Sequence, residues 1–294
     1  GLEEYAQIKR IEMNPEAERE RCLLFNVLHQ YPTPPKSFHY NNPVKVNAGP
    51  GFISSLPYEM NLMDVKRAVI ITDKGLKAAG LVDRVAKAMG SYCVGVFDGV
   101  VENSGYETID EAVEFCKQAR AECVVSLGGG SSIDTAKVTA VTLTRGGKAI
   151  DNITMFAVND TLIPHIAIPT TAGTGSEMTN IAVVMNRAIN RKINLAEFPA
   201  TPNVAILDPL LTLGLPPKIT AATGMDALSH AIETIICVRR NMMSKQFALE
   251  AIRLISKSLR RAVEKGDDVD ARFNMLLASA NAGIAINMSA TCLG

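Results

Sequence analysis

The sequence predicts an α/β protein in which a parallel sheet, covered by helices on both faces, is followed by an all-helical part. Three observations carry this. Short apolar runs alternate with helical patterns of about ten to fifteen residues between Phe38 and Asp208, the rhythm of a parallel sheet with crossover helices. One run, Cys123 to Leu127, passes without a spacer into Gly128-Gly129-Gly130 and then into an alanine-rich helical pattern. Beyond Pro216-Pro217 the β runs stop and only helical patterns follow.

Residues 1–37 read as an N-terminal extension, charged and helix-compatible up to the joint Pro32-Thr33-Pro34-Pro35. The α/β region spans 38–212. Val44 to Asn47 is a strand, Gly49-Pro50-Gly51 a turn and Ile53 to Asn61 a short helix. Val65 to Thr72 is a β run ending at Asp73-Lys74-Gly75, and Lys77 to Met89 is helical. Tyr92 to Phe97 is a strand, Tyr106 to Ala119 a helix, Cys123 to Leu127 the central strand and Gly128 to Thr144 its turn and helix. His165 to Ile168 is a further strand, and Ile181 to Asp208 holds short β runs. The helical region, 213–294, contains Ile219 to Val238, Ser244 to Glu264 and Asp268 to Met288.

Composition narrows the function classes. Lys+Arg and Asp+Glu number 30 each, so no basic field favours nucleic acid or an anionic membrane. The 47% hydrophobic fraction suffices for sizeable cores, yet no run reaches the length of a membrane span. Gly1 to Arg21 lacks the apolar core of a signal peptide, which points to the cytoplasm. The 6 cysteines, Cys22, Cys93, Cys116, Cys123, Cys237 and Cys292, have no metal-site spacing and read as reduced and structural. The chain has no Trp and few other aromatics, which argues against a stacking platform for bases or sugars.

The glycine turn supplies the chemistry. Three successive glycines allow φ > 0 and let a ligand approach the main chain. The helix that follows offers unpaired amides and the positive end of its dipole, so a diphosphate is the natural occupant, with Ser131 and Ser132 as caps or hydroxyl donors. The alternative is a turn that only packs helix against strand. In a parallel sheet ligands bind beyond the carboxyl ends of the strands. Asp73 lies at one such end, where a carboxylate accepts from the ribose hydroxyls of NAD and repels a 2′-phosphate; its alternative is a helix N-cap. A second cradling loop, Pro169 to Glu177, makes Thr170, Thr171 and Gly173 candidate cofactor contacts, or else caps its own helix. His165, in the strand before it, reads as a structural histidine, whereas His29 and His39 receive no role. Lys192 either faces the cofactor or is an exposed lysine. Asp226 and His230 stand four apart on one helical face, where they make a surface contact or contribute to a divalent metal site completed from elsewhere.

Taken in order, Val125 to Lys137, Ile168 to Glu177 and Thr220 to Glu233 resemble the iron-containing alcohol dehydrogenase family. The resemblance runs from about Phe38 to the end of the chain. It implies a Rossmann-like, dehydroquinate synthase-like α/β domain, a helical metal-binding domain and a cleft between them. It places Gly129, Gly130 and Ser131 on the diphosphate, Asp73 on the adenosine ribose, and Thr170, Thr171, Thr174 and Lys192 on the cofactor side. Asp226 and His230 would be two of four ligands of Fe(II), Zn being the alternative metal. The metal would act as a Lewis acid while hydride passes between NAD(H) and a small alcohol, aldehyde or ketone. The resemblance further implies a homo-oligomer, a dimer or larger.

Two more histidine ligands are implied, yet no His follows His230. The helical domain therefore reads as incomplete, either part of a longer enzyme or a truncated relative that binds nucleotide only. A glycerol dehydrogenase-like enzyme, usually with zinc, is a further alternative that the Gly224 to His230 pattern disfavours.

Overall fold

Apolar runs bounded by Gly, Pro and Asp give the strands, and the computed structural model, which describes residues 38, 40–237 and 239–289, arranges them in a six-stranded parallel sheet. The strands and helices are β1 (Lys45–Ala48), α1 (Leu56–Leu62), β2 (Ala68–Ile71), α2 (Lys74–Ala78), α3 (Leu81–Met89), β3 (Cys93–Phe97), α4 (Tyr106–Gln118), β4 (Cys123–Gly128), α5 (Gly130–Arg145), β5 (His165–Pro169), β6 (Ile181–Asn186), β7 (Arg191–Ala196), β8 (Val204–Leu207), α6 (Pro217–Ile236), α7 (Met242–Glu264) and α8 (Val269–Ser289). Sheet order is β1-β8-β5-β4-β2-β3. The expected extension 1–37, Cys22, Cys292, His29 and His39 lie outside the described residues.

The topology fixes where a ligand can enter. From β2 the chain steps outward to β3, then crosses back over β2 to β4 and continues through β5 toward β8. The direction reverses between β2 and β4, and a crevice opens at their carboxyl ends. Asp73 follows the first of these strands, and Gly128 closes the second.

Strands β2, β4, β5 and β8 are buried throughout, as sheets covered on both faces require. One face packs on Leu56, Met60, Val82, Val85 and Met89, and the other on Ala112, Cys116, Ala136 and Ala140. Cys93, Cys116, Cys123 and Cys237 are free thiols, and burial pushes Cys116 and Cys123 up to about 12. Helices α6 to α8 pack through alanines, including Ala227, Ala231, Ala251, Ala278 and Ala282, whose small side chains let the backbones approach closely. The sheet and these helices belong to one compact unit from Tyr40 onward. No helix among the described residues is long and apolar enough to cross a membrane.

Several local expectations change. The helix expected over Lys77 to Met89 begins earlier and is broken in two by Gly80, whose φ of 73° no helix accommodates. The run Val65 to Thr72 contributes only Ala68–Ile71 to the sheet, because Val65 instead bonds back to Met60 O. The runs after Ile181 split: β6 and β7 form a separate antiparallel hairpin, and only β8 joins the main sheet. Helices α6, α7 and α8 depart from expectation by a residue or two at their ends.

Candidate functional site

Beyond the carboxyl ends of β2, β3, β4 and β5 lies a cleft of about 920 Å³. Asp73, Gly129, Gly130, Ser131, Thr171 and Thr174 all line it, and the far wall is Ile219 and Thr223 of α6. An adjoining recess of about 480 Å³ shares Asp73, Gly129 and Thr171 and is walled by Leu76, Leu211, Leu215 and Ile219. A trough that carries the Asp73, Ser131, Thr171 and Thr174 side chains therefore adjoins an apolar slot.

The three glycines are required for different reasons. Only Gly128 takes positive φ, at 151°, where any side chain would be strained and a Cβ would overlap Ser132. Gly129 and Gly130 have ordinary backbones, but a Cβ on Gly129 would meet Thr171 Oγ1 at 3.0 Å and one on Gly130 would meet Thr174 Cγ2 at 2.8 Å. The second loop is thus laid on the first, and Thr170 N donates to Gly128 O at 3.0 Å. Neither Ser131 nor Ser132 caps α5. Gly129 is the N-cap, no side chain satisfies the first-turn amides, and Ser131 Oγ accepts from Asn103 N at 3.3 Å.

Asp73 is the N-cap of α2, one oxygen accepting from Leu76 N at 3.0 Å, and it lines both the trough and the slot. Thr170 is buried and lines the slot. Gly173 is not among the cleft-lining residues; a Cβ there would meet Thr223 Cβ at 2.8 Å, so this glycine lets the loop lie against α6. Lys192, expected on the cofactor side, sits exposed on β7 near Asp134 and is not among the cleft-lining residues. His165 is structural, its Nε2 lying 2.7 Å from Ser126 Oγ. Burial and the nearby Lys137 charge lower it to about 3, which keeps it neutral.

Ile219, Thr223, Asp226 and His230 follow one another at helical spacing, so the cleft-lining face of α6 carries the carboxylate and the imidazole one to two turns further on. Asp226 Oδ1 and His230 Nε2 are 3.8 Å apart, and His230 Nδ1 is buried without a partner. A carboxylate oxygen and an imidazole nitrogen form half of a shell suited to a divalent transition metal. Among the described residues no third His, Cys, Asp or Glu joins them.

Sequence reasoning missed the buried ionic group beneath the cleft. Lys137 is fully buried on α5, and its Nζ donates to Ser176 Oγ at 2.8 Å, Thr179 Oγ1 at 3.1 Å and Ile181 O at 2.7 Å. Burial lowers it to about 8, with Asp134 and Glu177 opposing that shift. Glu177, also buried, has one oxygen without a partner, and burial raises it from 4.5 to about 7. The one sequence signal was an Asp and a Lys three apart inside an otherwise small and apolar helix.

Glu177 gives a pH test. The folded protein holds its proton between about pH 4.5 and about pH 7, where the unfolded chain has released it. Its contribution is therefore favourable below that window and lost as pH rises through it. Glu177→Gln should stabilise the protein at about pH 8 by about 1–3 kcal/mol, Lys137 offsetting part of the penalty, and should bring no gain below about pH 4.5. Melting curves at both pH values decide this, and an equal difference at the two would refute it.

Residues 43–209 match the iron-containing alcohol dehydrogenase model, and residues 220–293 match the C-terminal model of the Fe-containing alcohol dehydrogenase family. The chain is 40% identical over 245 residues to long-chain-alcohol dehydrogenase 1 of Geobacillus thermodenitrificans, a match covering 81% of this chain and 61% of the relative. It is 37% identical over 241 residues to the NAD-dependent methanol dehydrogenase of Bacillus methanolicus, covering 81% and 63%. It thus spans less than two thirds of these relatives. The crystal structure of a sulfoacetaldehyde reductase from Bifidobacterium kashiwanohense with NAD+ superposes with a TM-score of 0.81 at 32% identity, covering 87% of this chain and 68% of that one.

Proposed function

Since the chain belongs to the iron-containing alcohol dehydrogenase family, we propose that its cleft binds NAD(H) and that the protein moves hydride between this cofactor and a small alcohol or carbonyl compound. The observation that carries the reading is the meeting of three elements at one crevice: the bare amides of Gly129 to Ser131, the Asp73 carboxylate and the α6 face that continues to Asp226 and His230.

The diphosphate would take the first-turn amides of α5, where the helix dipole favours negative charge and Thr171 and Thr174 add short hydroxyls. Asp73 retains one oxygen for the ribose hydroxyls, and the slot beside Leu76, Leu211 and Leu215 suits an aromatic ring. Cofactor laid along this path runs under Thr223 toward His230. Asp226 and His230 would hold two positions of a divalent iron, which supplies Lewis-acid chemistry at a substrate oxygen when bound. In this proposal residues 38–212 bind cofactor, residues 213–294 contribute to the metal site, and the protein is a cytoplasmic homo-oligomer acting on a small molecule.

Fluorescence titration tests the cofactor assignment. The chain should bind NADH saturably and NADPH at least about tenfold more weakly, and Asp73→Gly should weaken NADH and narrow that ratio. Failure of the wild-type chain to bind NADH would refute the reading. An unchanged ratio in Asp73→Gly would remove this carboxylate from the site.

A further inference from the structure

Lys137 occupies a position where an apolar residue would be expected. Its ammonium is enclosed between α5 and the stretch 176–181, and all three of its acceptors, Ser176 Oγ, Thr179 Oγ1 and Ile181 O, come from that stretch. One turn earlier on the same helix, Asp134 reinforces the attachment: Ser176 Oγ donates to Oδ1 at 2.6 Å and Val183 N to Oδ2 at 2.9 Å. Nζ and Asp134 Oδ1 are 4.0 Å apart, so Ser176 bridges the cation and the carboxylate. Glu177 and His165 are the other titratable groups near the ammonium, and the Lys192 charge also acts on Asp134.

A buried ammonium is expensive, and a packed hydrophobe of similar size is often as stable or more so. What a hydrophobe cannot supply is a fixed set of donors. The loop held here is built from small residues. Its start is fixed by the Thr170 to Gly128 bond and its middle by contact with Thr223 and α8, while its far end is held by the 176–181 acceptors. That loop presents Thr171 and Thr174 to Gly129 and Gly130.

We propose that Lys137 is a positioning residue for the dinucleotide, its ammonium fastening the 170–181 stretch to α5 so that the two halves of the phosphate cradle keep their spacing. This rests on the reading of the cleft as an NAD(H) site. Lys137 and the cofactor then share the first helix after the glycine turn, the ammonium anchoring the loop from below while the amides receive the anion above.

The test uses the whole 294-residue chain with Lys137→Met and, separately, Ser176→Ala, which keeps the ammonium but removes the bridge. Hydrogen exchange without ligand should speed up by about tenfold or more in 170–181, and the NADH Kd should rise by about tenfold. Exchange in β2 and β4 should change less than in 170–181, because methionine fills the volume of the buried stem, while the melting temperature of Lys137→Met falls because Asp134 and Glu177 lose the cation that offsets their burial. Wild-type exchange in 170–181 in both variants, with NADH binding intact, would overturn the proposal alone. Protection lost evenly across the sheet would overturn it as well, since Lys137 would then only stabilise the fold. Absence of NADH binding by the wild-type chain would instead bring down the cofactor reading, with the exchange data still deciding whether Lys137 holds the loop.

Discussion

Gly283→Ala is expected to destabilise the protein by about 2–3 kcal/mol net, lowering the melting temperature by roughly 5–12 °C. Gly283 on α8 faces Gly175 in the second loop, and an ideal Cβ there would stand 2.5 Å from Gly175 O and 3.0 Å from Gly175 Cα. Both obstacles are backbone, so no rotamer change relieves them. Gly175 cannot yield by rotating, because it sits at φ 61° with Ser279 O and Gly283 Cα equally close to its own missing Cβ. Alanine favours a helix interior over glycine by about 1 kcal/mol, which offsets part of the overlap. Relief requires α8 to lift from the loop, which also uncovers the contact of Leu276 and Ala280 with Met178 and Leu207. Gly214→Ala is the control: its Cβ would meet nothing within 4 Å, and its melting temperature should stay close to wild type. Thermal melts of the two variants side by side settle the matter, and similar shifts would mean that the Gly175–Gly283 crossing is not a close packing point.

The second large effect concerns binding. Gly130→Val should weaken NADH by on the order of a hundredfold, equivalent to about 2.7 kcal/mol, and should also lower the melting temperature by crowding Thr174. Position 130 is the first residue of α5 and has ordinary helical backbone, so valine is tolerated there by the helix. Its side chain, however, enters the space between the first-turn amides and Thr174, where even a Cβ would lie 2.8 Å from Thr174 Cγ2. The anion is then kept from the amides. Truncating the neighbour as well, in Gly130→Val with Thr174→Gly, should relieve the loop clash and leave the binding loss, because the amides stay covered. Calorimetry that returns wild-type NADH affinity for Gly130→Val would move the diphosphate elsewhere in the cleft.

Much of this architecture was legible in the sequence because its signals are local. The apolar run Cys123 to Leu127 followed by three glycines specifies strand, turn and helix within one stretch, and the i,i+4 spacing of Asp226 and His230 follows from helical geometry alone. Asp73 fell at the end of a strand because the run before it is apolar and the residues after it are not. From these, the parallel sheet, the glycine cradle at its edge and the family could be read directly.

Other features were decided only in three dimensions. Nothing near Lys137 in sequence states that its acceptors are Ser176, Thr179 and Ile181, about forty residues further on, or that Glu177 loses its water. Gly129, Gly130 and Gly173 look interchangeable in sequence, yet each is small for the sake of a different threonine on another segment. That β6 and β7 pair with each other and not with the main sheet, with Lys192 on β7, is likewise set by distant pairing. Periodicity and turn chemistry act over a few residues and so are written into the chain. Desolvation and close backbone approach depend on which distant segments meet, and only the packed sheet and helices determine that.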